Sequence, residues 1–389
     1  MAATLELDAL LPDLVEARRD IHRHPELGFE EARTQAKVRA WLEARGLEPC
    51  PSAGTGLVVD VRGTEPGRTV ALRADLDCLP MDEKTPLPWR SIHPGRAHKC
   101  GHDGHTAILM GVADVLARSR DFPGTVRLLF QPAEEGVRGG GARVMIDEGV
   151  LQGVDEIYGL HNWPLFPKGE VRVASGPVMA QVTNFDVQVT GVGGHASQPH
   201  AARDPIVAAA QIVGALQTVV ARRVPYGAQA VISVGTFSAG TVRNVIPSRA
   251  TLTGTMRTFD PDITELVKRE VAQLVRGVGQ GLGVEAQVEF DPQYPVLNND
   301  PQCAEAVARV ATELVGPERV SADQLPITGA EDFAYYTQKI PGAYFFLGAG
   351  APEGGTPGCH HPDFDFDDEL IPLGIQMFTG LVRARTGQP

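Results

Sequence analysis

The chain has 389 residues, of which 43% are hydrophobic and 21% charged, and its formal net charge is −13. This length exceeds what one hydrophobic core needs and predicts two domains, while the composition is ordinary for a globular protein. The acidic balance disfavours a nucleic-acid or membrane partner, because no run of Lys or Arg offsets it.

The cysteine pattern and the N-terminus both bear on location. Five widely scattered cysteines favour a reducing compartment over a disulfide framework. The first residues, MAATLELDALL, lack the basic and apolar regions of a secretory signal. The most apolar predicted helix, 206–221, is shorter than a membrane span. We therefore expect a cytoplasmic protein.

In the first part of the chain, predicted helices and strands alternate. Because such alternation is typical of α/β folds, we expect a mixed, mostly parallel sheet flanked by helices. The predicted helices are 8–24, 30–45, 104–118 and 140–149, and the predicted strands are 56–63, 69–74, 125–131 and 155–160.

The pattern changes near residue 180 and returns after residue 292. Between these points a βαββαβ order predicts an inserted α+β domain of the split-βαβ type. The predicted domains are therefore 1–180 together with 292–389, and 181–291. The insert contains strands from 184, 229–238, 249–259 and 284–290 and helices 204–222 and 261–277, and helices 301–315, 331–338 and 368–385 and strand 343–347 follow it.

Polar residues follow three predicted strands. Asp75 and Asp77 follow one strand, Glu134 and Glu135 a second, and His161 a third. Because chemistry in such sheets gathers where parallel strands end, we expect these residues to share one site.

The run His98–His105 (HKCGHDGH) concentrates metal-binding side chains. Cys100 and His102 are two residues apart, so an extended backbone would point both to the same side. A thiolate and an imidazole aimed at one point suit zinc and tolerate other divalent ions. A loop without metal is the alternative, and a redox pair is disfavoured because no second cysteine stands at the spacing of a dithiol motif.

Further candidate ligands lie elsewhere in the chain. Adjacent residues in a turn face different ways, so one of Glu134 and Glu135 could bind a metal while the other holds its water. A solvated acidic turn is the alternative for this pair, and a buried core histidine is the alternative for His161. Near the C-terminus, His360 and His361 precede an acidic run.

Pooled together, these residues predict two divalent cations sharing a bridging water. Glu134, which is not a ligand in this interpretation, would accept the proton of that water and pass it to a leaving nitrogen, as in amide hydrolysis. The predicted ligands are Cys100, His102, Glu135, His161 and one of His360 or His361.

Taken together, the motifs resemble a known family. The chain is similar to the hippurate hydrolase, N-acyl-amino-acid amidohydrolase and auxin-conjugate hydrolase branch of the zinc aminoacylase/carboxypeptidase family, and the similarity covers nearly its whole length. The segments that carry it are HRHPELGFEE (22–31), ALRADLDCLP (71–80), HKCGHDGH (98–105), FQPAEEG (130–136), GLHN (159–162), GVGGHASQPH (191–200), NVIP (244–247), GAEDF (329–333) and HHPDFDFDD (360–368).

The resemblance implies a catalytic domain with a dinuclear metal centre and an inserted lid domain that also dimerises, with a tetramer as the alternative. It implies His360 as the fifth ligand, His195 as the group that polarises the scissile carbonyl, and Asn244 and Arg257 as substrate-binding residues. It also implies that Asp75 and Asp77 orient the ligands. Zinc is the expected metal, with manganese, cobalt or nickel as alternatives, and an N-acyl amino acid is the expected substrate.

Three positions depart from the family pattern. Lys99 stands where a small residue is common, Cys78 where alanine is common, and His361 where asparagine or serine is usual. Two other functions compete with the predicted one. They are a dipeptidase or aminopeptidase of the same architecture, and a metal-dependent binding protein without activity, which Glu134 argues against because a binding site needs no base.

Overall fold

The structure is a computed structural model that describes residues 2–136, 139–351 and 354–387, with side chains described from residue 7 onward. The chain divides into two compact units. The first unit comprises Met1–Val178, Leu297–Leu325 and Glu331–Pro389, and the second comprises Met179–Val296 and Pro326–Ala330. The roles expected of the two parts, catalytic domain and lid, stay predictions.

A mixed sheet forms the centre of the first unit. Among the described residues it has eight strands in the order β1-β2-β4-β3-β5-β16-β6-β15, and the central pairs β4/β3, β3/β5 and β5/β16 are parallel. The predicted fold class is therefore confirmed. The strands are β1 (Cys50–Ser52), β2 (Gly56–Arg62), β3 (Glu65–Asp75), β4 (Pro123–Gln131), β5 (Glu156–Pro167), β6 (Val171–Arg172), β15 (Val320–Ser321) and β16 (Gly342–Gly350), and two short strands, β7 (Gly176–Met179) and β14 (Leu297–Asn299), pair with each other.

Helices cover this sheet, and α3 is the most deeply buried of those described. Its apolar residues pack against α1, α2, α9 and the sheet, so nearly every side chain along it is buried. A Cβ at Gly111 would lie 2.3 Å from Ile375, which shows how closely α3 and α9 approach. The helices are α1 (Ala2–Arg23), α2 (Ala32–Glu43), α3 (His102–Arg118), α4 (Gly140–Asp147), α7 (Pro301–Val315), α8 (Ala334–Thr337) and α9 (Leu370–Arg385).

The second unit is an antiparallel sheet with two helices packed on it. The strand order is β10-β12-β8-β13, and the predicted βαββαβ sequence of elements is confirmed. Asp204 and Asp260 cap the two helices by accepting hydrogen bonds from main-chain N–H groups in the first turn. The elements are β8 (Gln181–Thr190), β9 (Gly194–His195), α5 (Pro205–Arg222), β10 (Ala230–Ala239), β11 (Val245–Ile246), β12 (Arg249–Thr258), α6 (Pro261–Gly281) and β13 (Glu285–Pro292).

The helix α5 matches the predicted helix 204–222, but it is longer than its apolar stretch 206–221, which was expected to be shorter than a membrane span. With 18 residues and a mean hydropathy of 1.4, it is long and apolar enough to cross a membrane by length and composition alone. One face of the helix, including Ile212, Leu216 and Val219, is buried in the core of the second unit. Its apolar character is thus used in packing against the sheet.

Candidate metal centre

The motif run 98–105 folds as a turn that leads into a helix. Gly101 has φ +108°, in the left-handed region, and His102 is the first residue of α3. A Cβ at Gly101 would lie 2.0 Å from Asn162 Oδ1, so the turn requires glycine. The expected extended backbone between Cys100 and His102 is therefore wrong. Their side chains converge because the chain turns at Gly101.

The two ring nitrogens of the buried His102 differ in their surroundings. Nδ1 lies 3.0 Å from the main-chain oxygen of Asp77 and 3.2 Å from its Oδ1. Nε2 is buried and has no hydrogen-bond partner among the described residues. Burial lowers the pKa of His102, but the carboxylates of Asp75 and Asp77 outweigh burial and raise this pKa well above its usual value. An imidazole held through one nitrogen, with the other unpartnered, is the arrangement of a metal ligand.

The two aspartates at the end of β3 hold these groups in place. Asp77 Oδ2 accepts a hydrogen bond from the main-chain N of Glu135 at 2.7 Å, so one carboxylate contacts both His102 and Glu135. Asp75 Oδ1 lies 2.7 Å from His105 Nδ1. Burial raises the pKa of Asp75, but His102, His105 and a neighbouring guanidinium outweigh burial and lower it well below the usual range.

His161 faces the thiol of Cys100. It lies inside β5 and not after a strand as predicted, because β5 continues to Pro167 in its pairing with β16. His161 Nδ1 donates to the main-chain oxygen of Asn162 at 2.6 Å, and Nε2 lies 3.3 Å from Cys100 Sγ. Burial lowers the pKa of His161 well below its usual value, which favours the neutral, ligating form. Donors that share one zinc ion lie about 3–4 Å apart, so this pair has a suitable spacing.

Glu135 and His360 extend the cluster on its other side. His360 Nε2 lies 3.0 Å from Glu135 Oε1, but the two groups are not aligned as a hydrogen bond. This buried oxygen therefore has no hydrogen-bond donor among the described residues. The main-chain N of His360 donates to the oxygen of Lys99 at 2.6 Å, which joins the C-terminal loop to the motif run. His361 instead accepts a hydrogen bond from the main-chain N of Asp363 at 3.1 Å. Of the two histidines, the structure brings His360 to the cluster.

A thiol that sequence reasoning did not single out lies next to Cys100. Cys359 Sγ is 3.5 Å from the main-chain oxygen of Cys100 and 3.9 Å from that of Asn162. The neighbouring thiol of Cys359, followed by burial, raises the pKa of Cys100 well above its usual value. The two cysteines are 259 positions apart in the sequence, so no local pattern reveals this contact.

Glu134 lies among other carboxylates. Its side chain is buried, and Oε2 is 3.9 Å from His102 Nε2. Burial raises the pKa of Glu134 well above its usual value, and the negative charges of Glu331 and Glu135 raise it further. Oxygens of Glu134, Glu331 and Asp332 all lie within 4.8 Å of one another.

A buried arginine balances this negative charge. Arg73 Nη2 lies 2.8 Å from Glu331 Oε1 and 2.9 Å from Asp332 Oδ1, and Tyr344 donates to Glu331 Oε2 at 2.6 Å. The motif GAEDF (329–333) contributed only to the family resemblance, and none of its residues was predicted to belong to the site. A helix was predicted over 331–338, but α8 begins later, at Ala334. Two features of the sequence could have indicated this charge cluster. They are the adjacent acidic residues Glu331 and Asp332, and the presence of Arg73 inside the apolar strand β3.

The donor atoms form overlapping groups whose members lie within 4.8 Å of one another. Thiol, imidazole and carboxylate donors, with the unpartnered buried Nε2 of His102 among them, fit divalent cations such as zinc. Three of these groups are Cys100, His102 and His161; Cys100, Glu135 and His360; and His102, Glu134 and Glu135.

The remaining predicted site residues, His195, Asn244 and Arg257, lie in the second unit. His195 in β9 is opposite Val245 in β11, and Asn244 directly precedes that residue. His195 Nδ1 accepts a hydrogen bond from the main-chain N of Ser197 at 3.1 Å. Burial lowers the pKa of Arg257, and no carboxylate pairs with this residue in the part of the chain that the structure describes. Their roles stay predictions.

A mixed α/β sheet beside which thiol, imidazole and carboxylate donors cluster is typical of metal-dependent hydrolases. Residues 71–384 match the model of Peptidase family M20/M25/M40. The chain belongs to this family, and the resemblance inferred from its motifs is confirmed.

Individual proteins that are similar to this chain are consistent with this family. N-acetylcysteine deacetylase of Bacillus subtilis is 42% identical over 371 residues, covering 95% of this chain and 95% of that protein. Thermostable carboxypeptidase 1 of Saccharolobus solfataricus is 37% identical over 369 residues, covering 93% and 92%. The crystal structure of the YXEP protein of Bacillus subtilis, a dinuclear metal binding peptidase of the M20 family, has a TM-score of 0.84 and 37% identity, covering 97% of this chain and 98% of that one.

Proposed function

We propose that this protein cleaves the amide bond of N-acyl or N-aroyl amino acids, releasing the free amino acid and a carboxylic acid. The observation that carries the proposal is the position of Glu134, a buried carboxyl group 3.9 Å from the unpartnered Nε2 of His102. Burial and neighbouring carboxylates raise the pKa of Glu134 well above its usual value, and a less acidic carboxyl group is a stronger base once it is ionised. The similarity to N-acetylcysteine deacetylase supports an acyl group on an amino-acid nitrogen.

In the proposed mechanism, Glu134 moves the proton. It accepts a proton from the water that attacks the amide carbon, and it delivers this proton to the nitrogen, which leaves as an amine. Asp77 holds His102 and Glu135 in position through the hydrogen bonds described above. Two divalent cations, with zinc preferred and manganese, cobalt or nickel as alternatives, would lower the pKa of that water and polarise the carbonyl. The residues that would hold them are Cys100, His102, Glu135, His161 and His360.

The second unit would supply groups that recognise the substrate. Arg257, half-buried and without a carboxylate partner among the described residues, would bind the free carboxylate of the amino acid together with Asn244. His195 would polarise the scissile carbonyl. Replacing Arg257 with Met should raise KM far more than it lowers kcat, because the carboxylate is bound equally in the ground and transition states.

We further propose a cytoplasmic homodimer that forms through the second unit, with a tetramer as the alternative. The support is β10, which lies at one edge of the described four-stranded sheet and exposes Val231 and Phe237 by 40% and 42%. An exposed, apolar edge strand readily pairs with another copy. Light scattering coupled to size-exclusion chromatography would distinguish monomer, dimer and tetramer.

The decisive test of the mechanism is Glu134→Gln. We expect kcat to fall by about 10²–10⁴, because the base is removed, while bound metal per chain stays at the wild-type level. Glu65→Gln, at an exposed position in β3, is the matched control and should leave both quantities unchanged. Loss of metal from Glu134→Gln would instead assign Glu134 to the ligands. Full activity after complete chelation would refute metal dependence.

A second candidate function is peptide hydrolysis. The similarity to thermostable carboxypeptidase 1 favours it, and a dipeptidase or aminopeptidase would use the same architecture. Assaying an N-acyl amino acid beside the matching dipeptide separates the two candidates. Extending the assay to acetyl, benzoyl, long-chain and indole-acetyl groups would then identify the preferred acyl group.

A further inference from the structure

Two cysteines from distant parts of the chain meet at the proposed metal centre. The hydrogen bond from His360 N to Lys99 O, 2.6 Å long, brings the neighbouring residues Cys359 and Cys100 opposite each other. Cys359 Sγ is 3.5 Å from the main-chain oxygen of Cys100, so the Cys359 side chain contacts the backbone of Cys100. One backbone hydrogen bond and one side-chain contact thus place Cys359 directly beside Cys100.

The other cysteines lack such a neighbour among the described residues. Cys78 and Cys303 are buried, and Cys50 is exposed on β1. Cys359 is also absent from the donor groups that the described residues form, whereas Cys100 belongs to two of them. Cys359 is therefore not needed as a ligand, and its position beside a ligand calls for another explanation.

We propose that Cys100 and Cys359 form a reversible disulfide when the metal centre is empty and a peroxide is present, which removes Cys100 from the ligand set. This inference rests on the proposed role of Cys100 as a ligand. The pair forms a redox-sensitive site that connects the oxidation state of the protein to its capacity for metal.

The chemistry needs hydrogen peroxide as the oxidant. Cys359 is the more exposed of the two residues, and its thiolate attacks one peroxide oxygen. The O–O bond breaks, and a sulfenic acid and a hydroxide ion form. A proton converts the hydroxide ion to water. Cys100 then attacks the sulfenic sulfur, the S–O bond breaks, and a second water leaves. Two thiols and one peroxide yield one disulfide and two waters.

A bound cation should protect the pair. A thiolate that ligates a metal shares its electron pair with the cation and is a weaker nucleophile. The disulfide and the metal therefore compete for the same sulfur. A disulfide also needs the sulfurs to approach to about 2.05 Å, so the proposal requires rotation of the Cys359 side chain, which is only partly buried.

The experiment uses the full chain with Cys50→Ser, which removes the exposed thiol and leaves four of the five cysteines. Metal-free protein is treated with hydrogen peroxide, and thiols are counted after unfolding. We expect the thiol count to fall from four to two, and mass spectrometry to find tryptic peptides 100–118 and 340–383 joined. Zinc binding, measured with a chromophoric chelator, should be lost and then restored by dithiothreitol.

The matched controls are Cys359→Ser and Cys303→Ser in the same background. Cys359→Ser should give no linked peptide and should retain most of its zinc binding at a peroxide dose that abolishes binding in the parent. Cys303→Ser should give the linked peptide and lose zinc binding as the parent does, and its thiol count should fall from three to one. Absence of the linked peptide, or unchanged zinc binding in protein that contains it, would overturn the inference. Neither readout uses amide hydrolysis, so a failure of the proposed activity is distinguished from a failure of this site.

Discussion

Replacing Gly101 with alanine should damage the metal centre more than the fold. An alanine at φ +108° is strained by about 1–3 kcal/mol. Its Cβ would lie 2.0 Å from Asn162 Oδ1, the atom that is 2.7 Å from His105 Nε2. Displacing this buried amide leaves polar groups without partners at a further cost of about 1–3 kcal/mol. The two costs sum to about 2–6 kcal/mol, so if the turn shifts to relieve them, metal affinity should fall by about 30-fold to 10⁴-fold, at 1.4 kcal/mol per tenfold.

The assay is a zinc competition titration beside urea unfolding of the metal-free protein. Gly95→Ala is the matched control, because Gly95 also has positive φ, +74°, but a Cβ there would meet nothing within 4 Å. The control should lose about 1–2 kcal/mol of unfolding free energy and keep wild-type zinc affinity. Wild-type zinc affinity in Gly101→Ala would refute the reasoning, because it would show that the turn tolerates a side chain without moving Cys100 or His102.

Two further predictions concern buried groups around the site. Lys99 Nζ donates hydrogen bonds to Glu83, Thr85 and the main-chain oxygen of Phe364. Lys99→Met should therefore cost about 3–5 kcal/mol of unfolding free energy and weaken zinc binding. The matched control is Lys168→Met at an exposed ion pair, which should cost less than about 1 kcal/mol. Burial raises the pKa of Glu31 from 4.5 to about 7, so the folded protein holds a proton that the unfolded chain has released, and stability falls as the pH rises through this window. Urea unfolding should therefore show that Glu31→Gln gains about 2 kcal/mol relative to wild type between pH 5 and pH 8, and an equal difference at both values would contradict the pKa shift.

Much of the fold follows from local patterns in the sequence. Apolar runs bounded by glycine and proline predicted β4 and the strand pairs of the second unit, because periodicity and turn residues act over a few positions. The gathering of Asp77 and Glu134 at one edge followed from a rule of topology, that parallel strands end on the same side. These predictions needed no knowledge of which distant segments touch.

What the sequence left open depends on contacts between distant segments. His161 lies inside β5 because β16, almost two hundred residues later, extends the pairing beyond the predicted end. The left-handed turn at Gly101 is required by the side chain of Asn162, which no window around residue 101 contains. The neighbouring thiols of Cys100 and Cys359 likewise depend on one backbone hydrogen bond between loops.

The buried charges of the site constrain how these distant segments can pack against one another. Carboxyl groups of Glu134, Glu331 and Asp332 are buried within 4.8 Å of one another, and the buried Arg73 guanidinium offsets only part of their charge. Burying such a cluster is unfavourable unless it is neutralised by protons or by cations. Burial and the negative charges of Glu331 and Glu135 raise the pKa of Glu134 well above its usual value, which favours neutralisation by a proton. Divalent cations bound nearby would favour loss of this proton, so the burial that makes the cluster unfavourable also provides the base that the proposed reaction needs.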